Sequence, residues 1–159
     1  MRVNKKHLWA GIIIMVLLCT ITYLNHFYNA FHFDDSHTIQ NNAYIRDLHN
    51  IPLYFKDGRT SSSLPQNQSY RPVVSVSLAF DYWLGGGYNL FFFHLSTFIL
   101  FLLQGGLMVF FFKRIFNTAT SNTKLATYTA LIATTWYLLH PAIAETEYLK
   151  SVFCRVLAP

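Results

Sequence analysis

The chain has 159 residues, of which 53% are hydrophobic, 18% aromatic and only 12% charged, far fewer charges than the surface of a soluble domain carries. The formal net charge of +5 would suit a nucleic-acid binder if the basic residues clustered among polar ones. They flank long apolar runs instead, so the charge reports orientation in a membrane and not a nucleic-acid partner.

Leu8 to Leu24 is a run of 17 uncharged residues behind Met1-Arg2-Val3-Asn4-Lys5-Lys6, enough for a helix of about 25 Å at 1.5 Å per residue. Bulky Tyr23, His26, Phe27 and Tyr28 occupy the place where a signal peptide needs small residues, so the run predicts an uncleaved anchor preceded by a cytoplasmic segment, residues 1–7. Cys19 packs within it as a small hydrophobe, and with Cys154 at the far end of the chain neither a disulfide framework nor a zinc site is expected.

A polar loop spans residues 25–87. In it Ser36 is expected to cap a short helix carrying Ile39, Ala43 and the Tyr44-Ile45-Leu48 patch, while Lys56 to Ser69 reads as an exposed Gly, Ser, Pro and Asn connection. Pro72 suits a first helical turn. Val73, Val76, Phe80, Trp83 and Leu84 recur at helical spacing, so Pro72 to Leu84 is predicted as an amphipathic helix on the membrane surface, ended by Gly85-Gly86-Gly87. Asn67-Gln68-Ser69 is a glycosylation sequon if the source is a eukaryote.

Tyr88 to Phe112, 25 uncharged residues closed by Lys113 and Arg114, is the clearest membrane span. After a cytoplasmic connection, residues 113–124, the 15 residues from Leu125 to Leu139 predict a third span, with Lys124 snorkelling at one end and Trp136 and Tyr137 at the headgroups of the other. Residues 140–159 begin a second outer segment. The fold class is therefore an all-α membrane protein of about three transmembrane helices, with amphipathic helices in a long outer loop. Arg2, Lys5, Lys6, Lys113, Arg114 and Lys124 hold the cytoplasmic side. All seven acids, Asp34, Asp35, Asp47, Asp57, Asp81, Glu145 and Glu147, then fall on the outer side, where any chemistry is expected.

Asp34 and Asp35 stand just after the first span, in Phe31-His32-Phe33-Asp34-Asp35. Two adjacent carboxylates near a low-dielectric boundary repel, which suits one of them to general-base work, and they can also bind a divalent cation. The alternative is that they solvate a helix end or mark topology. His140-Pro141 turns the chain after the third span and sets Glu145 five positions on, so the two can face one pocket, although a histidine at a helix C-terminus is equally a dipole partner. Arg71, before Pro72, places a permanent cation where a lipid-linked phosphate or ordinary headgroups would meet it. His94 is an intramembrane polar group, suited either to a site or to a helix-to-helix hydrogen bond.

Taken in order, Phe33-Asp34-Asp35 with Ile39 and Asn42, Tyr70-Arg71-Pro72, Phe80 to Gly86 with His94-Leu95, and His140-Pro141 with Glu145 and Arg155 resemble the N-terminal part of the transmembrane and tetratricopeptide repeat-containing O-mannosyltransferases. These are GT-C glycosyltransferases, related more distantly to the protein O-mannosyltransferases. The resemblance implies a partial GT-C fold and a multi-spanning enzyme that moves a sugar, typically mannose, from a polyprenyl-phosphate carrier to a hydroxyl of a protein or glycan on the outer or lumenal face. It maps the catalytic base onto Asp34 and Asp35. Arg71, Arg155 and His140 are assigned to the departing phosphate, and His94 and Glu145 to the substrate site. The resemblance implies the inner or plasma membrane of a bacterium, or the endoplasmic reticulum of a eukaryote. Family members have many more spans, so the chain reads as an N-terminal segment, and the residues after Arg155 lack the family's usual acid. The competing reading is a non-catalytic membrane protein, or the remnant of a decayed gene, that packs its second span, with Gly105-Gly106, against a partner.

Overall fold

A computed structural model of the chain describes residues 5–28, 30–31 and 34–140. Every regular element among the described residues is helical. In chain order they are α1 (Lys5–Thr22), short turns at Leu24–Tyr28, Ser36–Gln40, Ala43–Arg46 and Leu48–Asn50, α2 (Ile51–Tyr54), turns at Gly58–Ser61 and Pro65–Asn67, α3 (Pro72–Leu84), α4 (Leu90–Ala119) and α5 (Thr123–Leu138). The described chain forms two compact units, residues 5–25 with 98–140 and residues 26–97.

Two helices, α1 and α4, are long and apolar enough to cross a membrane. Only 11% of the apolar window of α1 and 17% of that of α4 are buried, so neither is the core helix of a water-soluble fold. Trp9, Ile14, Ile21, Leu103, Leu107 and Phe110 all project outwards, an apolar surface that lipid covers and water does not. The expected third span forms α5, of 16 residues and carrying Thr123, Thr127, Thr129, Thr134 and Thr135, which makes it shorter and less apolar than the other two. Helix α4 also runs seven residues past the predicted end at Phe112. Lys113 and Arg114 end the apolar run but not the backbone hydrogen bonding, and Thr120–Asn122 is all that separates α4 from α5. Asn122 starts α5 by accepting from Lys124 N and Leu125 N at 3.1 and 3.4 Å, satisfying two of the donors that a helix start leaves open.

Within the helical unit, α1 presents Gly11, Met15 and Cys19 at four-residue intervals, one face of a helix, and Tyr23, just past its end, continues the series with its N donating to the Cys19 carbonyl at 2.9 Å. A Cβ on Gly11 would stand 3.2 Å from Leu131 Cδ1, and one on Gly105 would stand 2.7 Å from Leu138 Cδ1. These are the close approaches that small residues permit between helices in lipid. The Tyr23 ring meets Phe101 edge-on at 5.2 Å, and its hydroxyl donates to the Leu138 carbonyl at 2.5 Å, one of the acceptors that the end of α5 leaves without an intrahelical partner. Thr20, Thr127 and Thr135 donate to the carbonyls four residues earlier, so their hydroxyls are satisfied within their own helices.

The loop unit has its own core, in which Ile39, Ile45, Tyr54, Leu78, Ala79 and Phe93 are buried and Phe31, Leu48, Ile51, Val76 and Tyr82 pack on them. Pro72–Leu84 forms the predicted helix with the predicted bounds. It buries Ser75, Leu78, Ala79 and Asp81 and turns Val73, Phe80, Trp83 and Leu84 outwards. Beyond it the chain reverses through Gly86 at φ 61° and Gly87 at φ 135°, values that glycine alone adopts without strain. Asp81, 1% exposed, accepts from Ser96 Oγ at 2.8 Å and ties α3 to the start of α4.

Two expectations for this loop change. The single helix expected from Ser36 onwards is instead three short turns, started by Asp35, Asn42 and Asp47; Asn42 and Asp47 accept from Tyr44 N and His49 N, while Ser36 lies inside the first turn and not at its N-cap. Polar side chains here compete for the backbone and cut a longer helix into pieces. The stretch expected as an exposed connection holds Thr60 at 2% and Ser62 at 1% exposure. Asn42 explains part of this, because its buried amide donates to the Thr60 carbonyl at 3.0 Å.

Tyr54 links core and loop. Its hydroxyl donates to the Tyr44 carbonyl at 2.7 Å, and burial, aided by the negative charge of Asp47, pushes its phenol up to about 12. The folded value lies above the ordinary value of about 10, so this group's contribution is fully present below about pH 10 and disappears as the pH rises through about 12. An ultraviolet phenolate titration is expected to show one tyrosine ionising late and together with opening of the loop unit. Tyr54→Phe should remove that late step.

Candidate functional site

Of the described acids, three have structural work. Asp47 accepts from His49 N at 2.9 Å and meets His49 Nδ1 at 2.7 Å, which holds its carboxyl below the usual range. Asp57 receives a forked pair of hydrogen bonds from Arg59, Nε to Oδ2 at 2.9 Å and Nη2 to Oδ2 at 2.7 Å with Nε also 3.0 Å from Oδ1, and is likewise lowered. Asp81 is buried on Ser96. The acidic pair Asp34-Asp35 is the one that the sequence singles out for chemistry.

Asp34 is fixed through its backbone. Its carbonyl accepts from His37 N at 3.2 Å, Thr38 N at 3.0 Å and Thr38 Oγ1 at 2.7 Å, which begins the Ser36–Gln40 turn. The start of that turn thus hangs on this carbonyl, and the side chain is 22% exposed. Oδ1 lies 3.4 Å from His37 Nε2. The His37 ring is itself held at Nδ1 by Ser62 Oγ at 3.0 Å and at Nε2 by the Asn67 amide at 2.9 Å. Asp35, half-buried, precedes the same turn.

Arg71 is half-buried at the N-cap of α3, where its carbonyl accepts from Ser75 N at 3.1 Å. It follows the segment that carries Ser62 and Asn67, so the loop that holds His37 also leads into the predicted cation. His94 lies near the start of α4, its ring 4.4 Å from that of His26 and inclined at 70°. That is a ring-on-ring contact between two imidazoles of the loop unit. His140 is exposed at the end of α5 and belongs to the helical unit, where it joins Gly11, Met15, Leu131 and Trp136 in lining an apolar groove of about 710 Å³. Glu145 and Arg155 lie outside the described residues. Among the described residues no three His, Cys, Asp or Glu side chains gather as metal ligands.

Sequence reasoning overlooked His37, His26 and the Arg46–Tyr88 pair. His37 follows Asp34 at helical spacing, the one local signal that would have found it, whereas its partners are 25 and 30 residues away. Arg46 Nε donates to Tyr88 Oη at 2.8 Å, and Tyr88 donates on to the Gln40 carbonyl at 2.8 Å. Nothing in the residue pattern announces that pairing.

These observations define a helical, membrane-associated protein with a separately packed polar loop unit that presents an acidic pair. Mouse (Mus musculus) protein O-mannosyl-transferase TMTC4 is 29% identical to the chain over 147 residues, which takes in 86% of this chain and 19% of the mouse protein. The chain thus spans about a fifth of the length of that curated relative. A match covering that share of this chain necessarily includes the segment from Asp34 to His94. No family model matches the chain, and no solved structure matches it. The likeness makes the chain a distant relative of part of that mouse protein.

Proposed function

We propose that the chain is the N-terminal segment of a GT-C glycosyltransferase that moves a sugar, mannose by analogy, from a polyprenyl-phosphate donor to a hydroxyl of a protein or glycan on the outer or lumenal face of the membrane. The observation that carries this reading is the similarity to an O-mannosyl-transferase across a region containing the acidic pair. In this reading α1, α4 and α5 all span the bilayer, residues 26–89 are outer, and α3 rests its Val73, Phe80, Trp83 and Leu84 face on the lipid surface.

The chemistry follows from the groups present. Asp34 takes the proton of the acceptor hydroxyl as its oxygen attacks the anomeric carbon. The bond from that carbon to the carrier phosphate breaks, and its electron pair leaves with the polyprenyl phosphate. Arg71, with Arg155 and His140, offsets the charge that develops on that phosphate, while Asp35, His94 and Glu145 complete the substrate site. The reading of the second helix as a partner-binding face is less favoured, because Gly105 is already packed on Leu138 within the chain.

The test is a transfer assay. Membranes containing the full-length protein are incubated with radiolabelled polyprenyl-phosphate sugars, and label is followed into an acceptor hydroxyl. Transfer that requires Asp34 is the expected result; no transfer with any such donor would overturn the reading.

A further inference from the structure

The sequence holds one Asn-X-Ser/Thr triplet, Asn67-Gln68-Ser69, and from its place in the fold we infer that Asn67 is the acceptor of an N-linked glycan. The inference rests on the outer placement of residues 26–89 in the reading above and not on the transfer chemistry. Such a triplet is used where it stands in exposed, irregular chain on the outer or lumenal side. Its surroundings meet the first of these conditions. Asn67 ends the single turn Pro65–Asn67, and Gln68 leaves that turn extended, at φ −72° and ψ 128°. The run from Ser63 to Asn67 is exposed throughout. Two backbone bonds close the turn, Asn67 N to the Leu64 carbonyl at 3.0 Å and Gln68 N to the Pro65 carbonyl at 3.4 Å. The triplet therefore enters an enzyme's cleft by opening one surface turn, the kind of segment at which chains are most readily modified.

The acceptor atom is Nδ2, which carries two protons. One is donated to His37 Nε2 at 2.9 Å, and the His37 ring is held at Nδ1 by buried Ser62, whose Oγ is 3.0 Å away. The amide is planar, so the second N–H points away from that ring, on a residue that is exposed. That is the position the sugar takes, and the glycan is attached without breaking the contact that ties the turn to His37. In the reaction Nδ2 bonds to the anomeric carbon of an oligosaccharide carried on a polyprenyl diphosphate, which the host membrane and its transferase supply. The bond from that carbon to the diphosphate breaks, its electron pair leaves with the carrier, and the displaced proton of Nδ2 passes to a base of the transferase. The curated relative is a mouse protein, from an organism whose secretory membranes carry out this modification.

The test expresses the full chain in a cultured eukaryotic cell and compares its gel mobility before and after treatment with peptide N-glycosidase F. One discrete upward shift, removed by the glycosidase, is expected for the natural chain, and peptide mass spectrometry after release should read aspartate in place of Asn67. Asn67→Gln and Ser69→Ala should both lose the shift. Ser69→Ala keeps the Asn67 amide on His37 and keeps the backbone N–H that donates to Ser61 Oγ at 2.9 Å, so it serves if Asn67→Gln does not accumulate. Ala43→Ser is the control for placement, since it makes exposed Asn41 the head of a second triplet in the same loop and should add a second shift. A natural chain without glycan whose Ala43→Ser variant gains one would overturn the inference and leave the outer placement standing. Absence of glycan from both would overturn the inference together with that placement. A shift that survives Ser69→Ala would put the sugar elsewhere on the chain and likewise overturn it.

Discussion

Asp34→Asn is expected to reduce sugar transfer by about a hundred- to ten-thousand-fold, the range that a positioned general base supplies, while the protein accumulates in the membrane at its normal level. Asparagine has the size of aspartate, but its amide cannot take the proton of the attacking hydroxyl. The fold is expected to survive because the Ser36–Gln40 turn hangs on the backbone carbonyl of Asp34, through His37 N, Thr38 N and Thr38 Oγ1. Asp57→Asn is the internal control. That carboxylate serves Arg59 N and the Arg59 guanidinium at the surface of the loop, so the substitution should leave the transfer rate unaltered. Steady-state transfer in membranes, normalised to protein by immunoblot, checks both.

The second large effect is structural. Tyr54→Ala should destabilise the loop unit by about 3–5 kcal/mol, the usual result of truncating a buried aromatic, because the ring is 1% exposed among Ile39, Ile45 and Leu78. Tyr54→Phe keeps the ring and loses only the hydrogen bond to Tyr44 O, a cost of about 1 kcal/mol. A domain holds only about 5–15 kcal/mol of net stability, so the alanine variant consumes a large part of it. Amide hydrogen exchange should show faster exchange throughout residues 36–84 in Tyr54→Ala, and only a small change in Tyr54→Phe. Helix α1 should be indifferent to both, since its stability comes from lipid and from the Gly11-Met15-Cys19-Tyr23 face.

The elements that could be read from the residues are those governed by local rules. Pro72 at a first turn and three glycines after Leu84 bound α3 without reference to the rest of the chain, and apolar runs located α1 and most of α4. Helix α4 outlasts its apolar run because Lys113 and Arg114 mark where apolar surface stops, whereas a helix stops where its carbonyls lose donors. Residues 36–70 were hardest to read. Their turns are too short to show a period, and they are fixed by contacts distant in sequence, Asn42 to Thr60 and His37 to Ser62 and Asn67. The acidic pair could be picked out as chemically unusual, but the histidine beside it gained meaning only when folding brought Ser62 to its far nitrogen. Third-span status was read from Leu125–Leu139 by length and flanking anchors, whereas the threonine content of α5 leaves that span to the functional proposal.

All of this requires Asp34 to face the outer aqueous phase. A cysteine introduced at exposed Asn41, in a chain whose Cys19 and Cys154 are replaced by serine, can be probed with a membrane-impermeant maleimide added to sealed vesicles of known orientation. Labelling from the outer or lumenal side alone is the predicted result. Labelling only from the cytoplasmic side would place the acidic pair where no lipid-linked sugar is presented for this reaction, and would contradict the account.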